Sequence, residues 1–125
     1  MKDVKAYGAR AIDAPLELMT IQRRELRPQD VEFEILYCGI CHSDLHRLKG
    51  EFGGSHYPLV PGHEILGRVT ALGSAVKDFQ LGELVGVGCI VDSCGHCSCC
   101  EEGLEQFCTE GVSFSFNGID RVSGG

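Results

Sequence analysis

The feature that most constrains this chain is a run of cysteines near its C-terminal end. Five of the eight cysteines fall in the stretch DSCGHCSCCEEGLEQFC. Four of them have the spacing C-x2-C-x2-C-x7-C: Cys94, Cys97, Cys100 and Cys108. A two-residue gap lets consecutive thiolates turn toward one point, and four sulfurs complete the tetrahedral shell of a zinc ion. The spacing therefore predicts a closed zinc site that is structural and leaves no position for a substrate.

The fifth cysteine of the run, Cys99, is expected to stay outside this site. It is adjacent to Cys100, so its side chain should point elsewhere, and we interpret it as a spare thiol. Disulfides and a redox C-x2-C pair remain open as alternatives. Both are disfavoured, because MKDVKAYGAR at the N-terminus lacks a secretory signal and no βαβ pattern surrounds the cysteines. Cys89, in the apolar stretch VGVGCIV, is predicted to be a core residue.

Composition excludes several other classes of protein. With 125 residues the chain can build one domain with its own core. Its net charge of −7 argues against nucleic acid as the main partner, because binding phosphates requires a basic surface. No apolar run approaches the ~18 residues of a transmembrane helix, so we expect no membrane association and a cytoplasmic location.

Hydrophobic patterning predicts a mainly β fold. Candidate strands cover residues 2–10, 16–23, 31–37, 65–72 and 84–90. In the clearest of them Val31, Phe33, Ile35 and Tyr37 recur at every second position, which is typical of a strand with one buried face. Many short strands together with seventeen glycines favour a barrel or a sandwich.

One short helix interrupts the strands. We expect it at residues 43–50, with Ser43 as its N-cap and Gly50 as its end. No G-x-G-x-x-G motif follows any candidate strand, so the chain carries no dinucleotide-binding fingerprint and no Rossmann domain.

A second and more open group of metal ligands lies upstream of the cysteine run. Cys41, His63 and Glu64 belong to two loops that can converge on one metal ion. They offer soft, borderline and hard ligand atoms and leave at least one position open, which is typical of a catalytic zinc.

Three neighbours of this group complete the candidate site. Asp44 can accept a hydrogen bond from the second ring nitrogen of His63 and so orient it. Ser43 and His46 place a hydroxyl and an imidazole three residues apart, which suits the passage of a proton outward from the site.

In their order and spacing, these residues resemble the zinc-dependent medium-chain alcohol dehydrogenases. YCGICHSDLH, YPLVPGHEILGRV and the cysteine run are most similar to the cinnamyl-alcohol-dehydrogenase branch, which includes NADP-dependent aldehyde reductases. The resemblance covers nearly the whole chain. It implies that residues 1–125 are a GroES-like catalytic domain, an irregular and partly open β-barrel with a zinc lobe at about 92–110.

The resemblance also implies ligand roles. Cys41 and His63 match ligands of the catalytic zinc, and Glu64 matches a carboxylate that can enter its shell. The four spaced cysteines match the ligands of the structural zinc one for one.

Further roles follow from the same resemblance. Ser43 matches the hydroxyl beside the substrate oxygen, and His46 matches the outer end of a proton relay. His42 matches a position that can face the pyrophosphate of the cofactor. Phe52 stands where the branch often has a tryptophan that lines the substrate pocket.

The chain departs from the family pattern at its end. It stops at Gly125, where the family continues into further strands, a third cysteine ligand and a nucleotide-binding domain. We therefore expect a fragment. Hydride transfer between NADP(H) and small alcohols or aldehydes is implied for the full-length enzyme, which can form oligomers, but not for the chain alone. The alternative is a stand-alone zinc-binding module with a structural or interaction role.

Overall fold

Seven strands, two short α-helices and one 3-10 turn at Glu105–Phe107 make up residues 1–124 of the computed structural model. Gly125, the last residue of the expected domain, lies outside these described residues. The strands are β1 (Lys2–Gly8), β2 (Glu17–Arg23), β3 (Val31–Cys38), β4 (Ile65–Leu72), β5 (Leu84–Val87), β6 (Ile90–Asp92) and β7 (Ser113–Phe114), and the helices are α1 (His42–Leu48) and α2 (Ser98–Glu101).

The strands form three small antiparallel sheets rather than a closed barrel. Their orders are β1-β2, β3-β4-β5 and β6-β7. The expected mainly β, open architecture is therefore confirmed. None of the helices formed by residues 1–124 has the length and apolar character needed to cross a membrane.

The expected strand at 84–90 is divided in two. β5 pairs with β4, whereas β6 pairs with β7, so the chain changes sheets at Gly88 and Cys89. At this break the carbonyl of Cys89 accepts a hydrogen bond from the backbone N–H of Ser115 at 2.9 Å. Cys89 is exposed, and the prediction that it belongs to the core is wrong, because it lies between two sheets and not inside one.

The expected buried face of β3 is also wrong. The side chains of Ile35 and Tyr37 are 60% and 71% exposed within the described part of the chain. The pairing of β3 with β4 shifts register twice, after Glu32 and after Ile35. Each irregularity interrupts the alternation of the strand, so the period of two in the sequence does not define one face.

Helix α1 begins one residue earlier than expected, and its N-cap is Cys41 rather than Ser43. The carboxylate of Asp44 closes the first turn by accepting the backbone N–H of Cys41 at 3.1 Å. Because a carboxylate three residues into the helix already satisfies this donor, the hydroxyl of Ser43 is available for other contacts.

A small core ties the N-terminal strand to the loop before β4. The backbones of Ala9 and Leu59 exchange two hydrogen bonds, of 2.9 and 2.8 Å, and both residues are 1% exposed. Gly8 permits this close approach, because a Cβ atom there would lie 2.7 Å from the carbonyl oxygen of Leu59. The loop that leads to His63 is therefore held against β1.

A mostly buried ion cluster links the loop after β2 to the C-terminal segment. Arg24 follows β2, and its Nε donates to Asp120 at 2.8 Å while its Nη1 pairs with Asp30. Arg24 lowers the pKa of Asp30 well below its usual range, against the opposing effect of burial. Burial also raises the pKa of Asp120, but hydrogen bonds from Ser123 and Val122, together with Arg24, outweigh it and lower the pKa to about 2.

We expect Asp120→Asn to lower the free energy of unfolding at pH 7 by about 1–3 kcal/mol, because Arg24 then loses a charged partner. The folded pKa of Asp120 lies below the ordinary value of about 3.9, so its contribution is complete above pH 4 and is lost as the pH falls toward 2. Urea unfolding of the unsubstituted chain and of Asp120→Asn at several pH values measures the difference in their free energies of unfolding. The difference in stability should shrink as the pH falls, and a constant difference would contradict the assignment.

Candidate metal centres

Three groups of side chains bring metal-ligand atoms within 4.8 Å of one another in residues 1–124. The first is Cys94, Cys97, Cys100 and Cys108, the second is Cys41, His63 and Glu64, and the third is Cys94, His96 and Glu110. The third group shares Cys94 with the first, and its other two members are exposed. The first two groups are therefore the independent candidate metal sites.

Backbone N–H groups donate to three of the four cysteine sulfurs and bring the four side chains together. Cys97 is the N-cap of α2, and its sulfur accepts the backbone N–H of Cys100 at 3.4 Å. The sulfur of Cys94 accepts the N–H of Cys97 at 3.3 Å, and that of Cys108 accepts the N–H of Cys94 at 3.4 Å. These bonds orient the sulfurs inward.

The spacing of the sulfurs fits zinc. Zinc–thiolate bonds of about 2.3 Å in a tetrahedron place the sulfurs about 3.8 Å apart. The sulfurs of Cys94 and Cys100 lie 3.9 Å apart. Cys99 does not belong to the group, and its carbonyl instead accepts the backbone N–H of Leu104 at 2.8 Å.

The surroundings of Cys97 favour its thiolate, whereas those of Cys94 disfavour it. Backbone donors at Cys100 and Thr109 lower the pKa of Cys97 to about 6. Backbone donors at His96 and Cys97 also favour the thiolate of Cys94, but burial and the neighbouring thiols outweigh them and raise its pKa to about 11. A divalent cation bound to the four sulfurs would favour the thiolate of Cys94 as well.

The second group forms where α1 meets the start of β4. Cys41 caps α1, and His63 and Glu64 directly precede β4. The backbone N–H of Gly39 donates to the carbonyl of Glu64 at 2.9 Å and joins the two loops. A Cβ atom at Gly39 would lie only 3.1 Å from that of Glu64, so glycine is needed for this approach.

Asp44 holds the two loops together and orients His63. It is 5% exposed, and Oδ2 accepts the N–H of Cys41 while Oδ1 accepts the N–H of Gly62 at 3.0 Å. Oδ1 also lies 3.0 Å from Nδ1 of His63. A proton on Nδ1 shared with this carboxylate leaves the lone pair of Nε2 available to a metal.

Ser43 lies at the centre of this group. Its Oγ is 3.1 Å from Sγ of Cys41 and 3.4 Å from Nε2 of His63. Hydrogen bonds from Ser43 and then from His63 lower the pKa of Cys41. Burial disfavours the charged form of His63, but Cys41 and Asp44 outweigh burial and raise its pKa. The arrangement thus favours a thiolate at Cys41 beside a protonated His63, and metal binding would release the proton from Nε2.

The other expected site residues lie beside the group. Nδ1 of His46 pairs with the carboxylate of Glu51, and among residues 1–124 no hydrogen bond joins His46 to Ser43. The ring of His46 lies 4.7 Å from that of His42 and 5.0 Å from that of Phe52. His42 is exposed, and Phe52 is 54% exposed.

Sequence reasoning did not predict two side chains that lie next to the site. Phe116 stacks on the ring of His63 with a centroid distance of 4.4 Å, and Arg47 lies among three phenylalanine rings. The alternation of Phe114 and Phe116 in SFSFN was the available signal, but nothing in it indicates which site the aromatic residues approach.

Known proteins match this chain over most of its length. It is 59% identical over 105 residues to the aldehyde reductase YahK of Escherichia coli, covering 84% of this chain and 30% of that protein. It is 50% identical over 121 residues to the NADP-dependent alcohol dehydrogenase C of Mycobacterium tuberculosis, covering 97% of this chain and 35% of that protein. The chain therefore spans about a third of the length of the curated relatives that it matches.

The fold matches as well. A cinnamyl alcohol dehydrogenase structure from Sorghum bicolor superposes with a TM-score of 0.94 at 40% identity, covering 99% of this chain and 35% of that one. The model of the alcohol dehydrogenase GroES-like domain matches residues 27–125. Sequence and fold agree with the resemblance inferred from the motifs, and the chain belongs to the family of alcohol dehydrogenase GroES-like domains.

Proposed function

We propose that residues 1–125 are the catalytic-domain portion of a zinc-dependent enzyme that interconverts primary alcohols and aldehydes with NADP(H). The observation that carries this proposal is the group of Cys41, His63 and Glu64, with Ser43 in contact with two of them. The names of the relatives, an aldehyde reductase and an NADP-dependent alcohol dehydrogenase, support the same reaction.

We assign the two metal groups different roles. The four cysteines hold a structural zinc in a lobe at about 92–110, because four sulfurs fill a tetrahedral shell. Cys41 and His63, with Glu64 close by, hold a catalytic zinc, because this set leaves a position open. When bound there, zinc supplies Lewis acidity toward the oxygen of an alcohol or aldehyde.

Residues of this chain orient the His63 ligand and transfer the proton of the substrate oxygen. Asp44 keeps the proton of His63 on Nδ1, so that Nε2 faces the metal group. The hydroxyl of Ser43 is placed to exchange a proton with the substrate oxygen. His46, paired with Glu51, is the proposed outer acceptor, and a water or another hydroxyl group must bridge it to Ser43.

The cofactor and substrate contacts are assigned to exposed residues of the same face. We propose that His42 faces the pyrophosphate of NADP(H) and that Phe52 lines the substrate pocket. Hydride transfer requires a nicotinamide held against the substrate carbon. The alcohol dehydrogenase relatives extend well beyond the matched third, so we expect the isolated chain to bind metal without catalysing turnover.

A chimera tests this proposal. The chain would replace the corresponding residues of the Escherichia coli aldehyde reductase, to which it is 59% identical. We expect the chimera to oxidise NADPH in the presence of cinnamaldehyde. The isolated chain should bind two zinc ions but should not oxidise NADPH. Cys41→Ala in the chimera should remove one zinc and the activity. A folded chimera with two zinc ions and no activity would overturn the proposal, and one zinc per chain would favour a structural module.

A further inference from the structure

The guanidinium of Arg47 lies in an aromatic enclosure beside the candidate catalytic group. Its carbon atom is 5.2 Å from the ring centre of Phe52, 5.8 Å from that of Phe114 and 5.6 Å from that of Phe116. Cations are attracted to the faces of aromatic rings, and this attraction strengthens away from water. The enclosure therefore holds one positive charge at a defined place.

This charge is not neutralised by the described part of the chain. Among residues 1–124, Arg47 forms no ion pair, and the single hydrogen bond of its guanidinium runs from Nη1 to the carbonyl of Gly53 at 3.4 Å. Its Nε is buried and has no hydrogen-bond partner. A buried donor without an acceptor costs about 1–3 kcal/mol, so an unpaired group of this kind requires an explanation.

The position of Arg47 connects it to the proposed reaction. Phe116, which contacts the guanidinium, also stacks on His63, so Arg47 lies one ring away from the metal group. Arg47 is four residues after Ser43 in α1, and residues with this spacing share a helix face. A substrate whose oxygen reaches Ser43 can therefore extend toward Arg47.

The enclosure is held in place before any substrate enters. Asn117 follows Phe116, and its Oδ1 accepts the backbone N–H of His56 at 2.6 Å while its Nδ2 donates to the carbonyl of Gly54 at 3.0 Å. These bonds fix the segment of Phe114 and Phe116 against the loop after α1. Phe52, in contrast, is 54% exposed and is the most exposed of the three rings, so it is the ring that a ligand would have to displace.

We propose that Arg47 selects alcohols and aldehydes that carry a carboxylate about one aromatic ring away from the reacting carbon. Nη1 is engaged by Gly53, and Nε has no acceptor although it is buried, so a ligand that displaces Phe52 would meet the Nε–Nη2 edge. That edge can donate two parallel hydrogen bonds to a carboxylate. The substrate class rests on the proposed function, but the anion selectivity of the enclosure does not.

Binding without turnover tests this proposal. The chain and its variants would be titrated with 4-formylbenzoate and with the uncharged 4-formylbenzamide by isothermal titration calorimetry, and the ¹⁵N chemical shift of Arg47 Nε in the unsubstituted chain would locate the bound carboxylate. We expect the carboxylate to bind at least about tenfold more tightly, because hydrogen bonds to charged groups contribute about 1.5–3 kcal/mol. Arg47→Gln should reduce the ratio of the two affinities to about one. The matched control is Lys49→Gln, which removes an exposed charge next to the same helix and should leave the ratio unchanged.

The remaining outcomes overturn the proposal. Equal affinity for the two compounds, or no saturable binding of the carboxylate, shows that the enclosure does not select anions. An equal loss of both affinities in Arg47→Gln shows that the arginine only supports the rings. If that variant does not fold, Arg47→Lys keeps the charge but loses the paired donors, and it should retain less than a third of the preference. This binding test measures no hydride transfer. Its result on anion selectivity therefore stands even if the chimera proves inactive.

Discussion

Replacing Cys100 by serine is expected to remove one zinc ion per chain and to unfold the lobe at residues 92–110. The four sulfurs lie within 4.8 Å of one another, and loss of one opens the four-sulfur shell. Structural zinc contributes on the order of 10 kcal/mol to folding in small zinc-binding peptides. We expect zinc affinity at the lobe to fall at least 100-fold, since an outer partner alone accounts for about 10–100-fold.

The lobe has little else to hold it together. Its helix α2 has four residues, none of them buried, and its apolar side chains Leu104 and Phe107 are 38% and 65% exposed. Apolar burial therefore cannot replace the metal as the source of stability. Zinc counting by mass spectrometry and amide hydrogen exchange across residues 92–110 measure the two parts of the prediction.

The neighbouring cysteine provides the control. Cys99 differs from Cys100 by one position in the sequence but lies outside the ligand group. Cys99→Ser should keep the full zinc content and the protection of the lobe from exchange. The assignment would be refuted if the two serine variants lost zinc equally, or if Cys100→Ser kept it.

The metal groups could be predicted because their spacing is local. C-x2-C-x2-C places three sulfurs within seven residues, and the turns that converge them involve only those residues. Cys41 and Asp44 are likewise joined within one helical turn. The sequence alone does not show that His63 lies close to Cys41 in the fold. A cysteine and a histidine are, however, a common pair of zinc ligands, so one site shared by both was the simplest prediction.

Burial in β3 could not be predicted in the same way. Alternation in the sequence implies one buried face only if the partner strand keeps its register. Here β4 slips twice against β3, and Ile35 and Tyr37 are exposed although their spacing is regular. Register depends on the partner strand, which begins only at Ile65, after helix α1 and a long loop.

The enclosure of Arg47 was unpredictable for a related reason. Phe114 and Phe116 reach it from the far end of the chain, and Asn117 fixes them by contacts 61 and 63 residues apart in sequence. An arginine in an amphipathic helix is usually a solvated residue. Only the fold shows that this one faces three rings and keeps a buried nitrogen unpaired.

Ser43→Ala in the chimera should lower kcat for aldehyde reduction about 100-fold or more, because general acid–base groups contribute about 10²–10⁴-fold. Ser43 supplies the one hydroxyl among residues 1–124 that contacts both Cys41 and His63. Without it, a substrate oxygen held at the metal group would lose this hydroxyl as its proton donor. Steady-state kinetics with NADPH and cinnamaldehyde measure the effect.

The same substitution also touches the metal ligands, so the two effects must be separated. The hydroxyl of Ser43 lowers the pKa of Cys41, and its loss should return that pKa toward the ordinary value and weaken zinc binding modestly. Kinetics would therefore be measured with zinc counted in each sample. A variant with two zinc ions and a low kcat isolates the loss of proton transfer from the loss of metal.

Two further variants decide what Ser43 does. Ser43→Thr keeps a hydroxyl at the same carbon and should restore most of the activity, whereas a purely steric role would not be rescued in this way. Ser74→Ala removes a hydroxyl from an exposed loop and should leave kcat unchanged. If Ser43→Ala turned over as fast as the unsubstituted chimera, the proton would have to leave by another route. The geometry argues against that outcome, because Oγ of Ser43 lies 3.1 Å from Sγ of Cys41 whereas His46 pairs with Glu51, so Ser43 is the inner member of a relay built from these two residues.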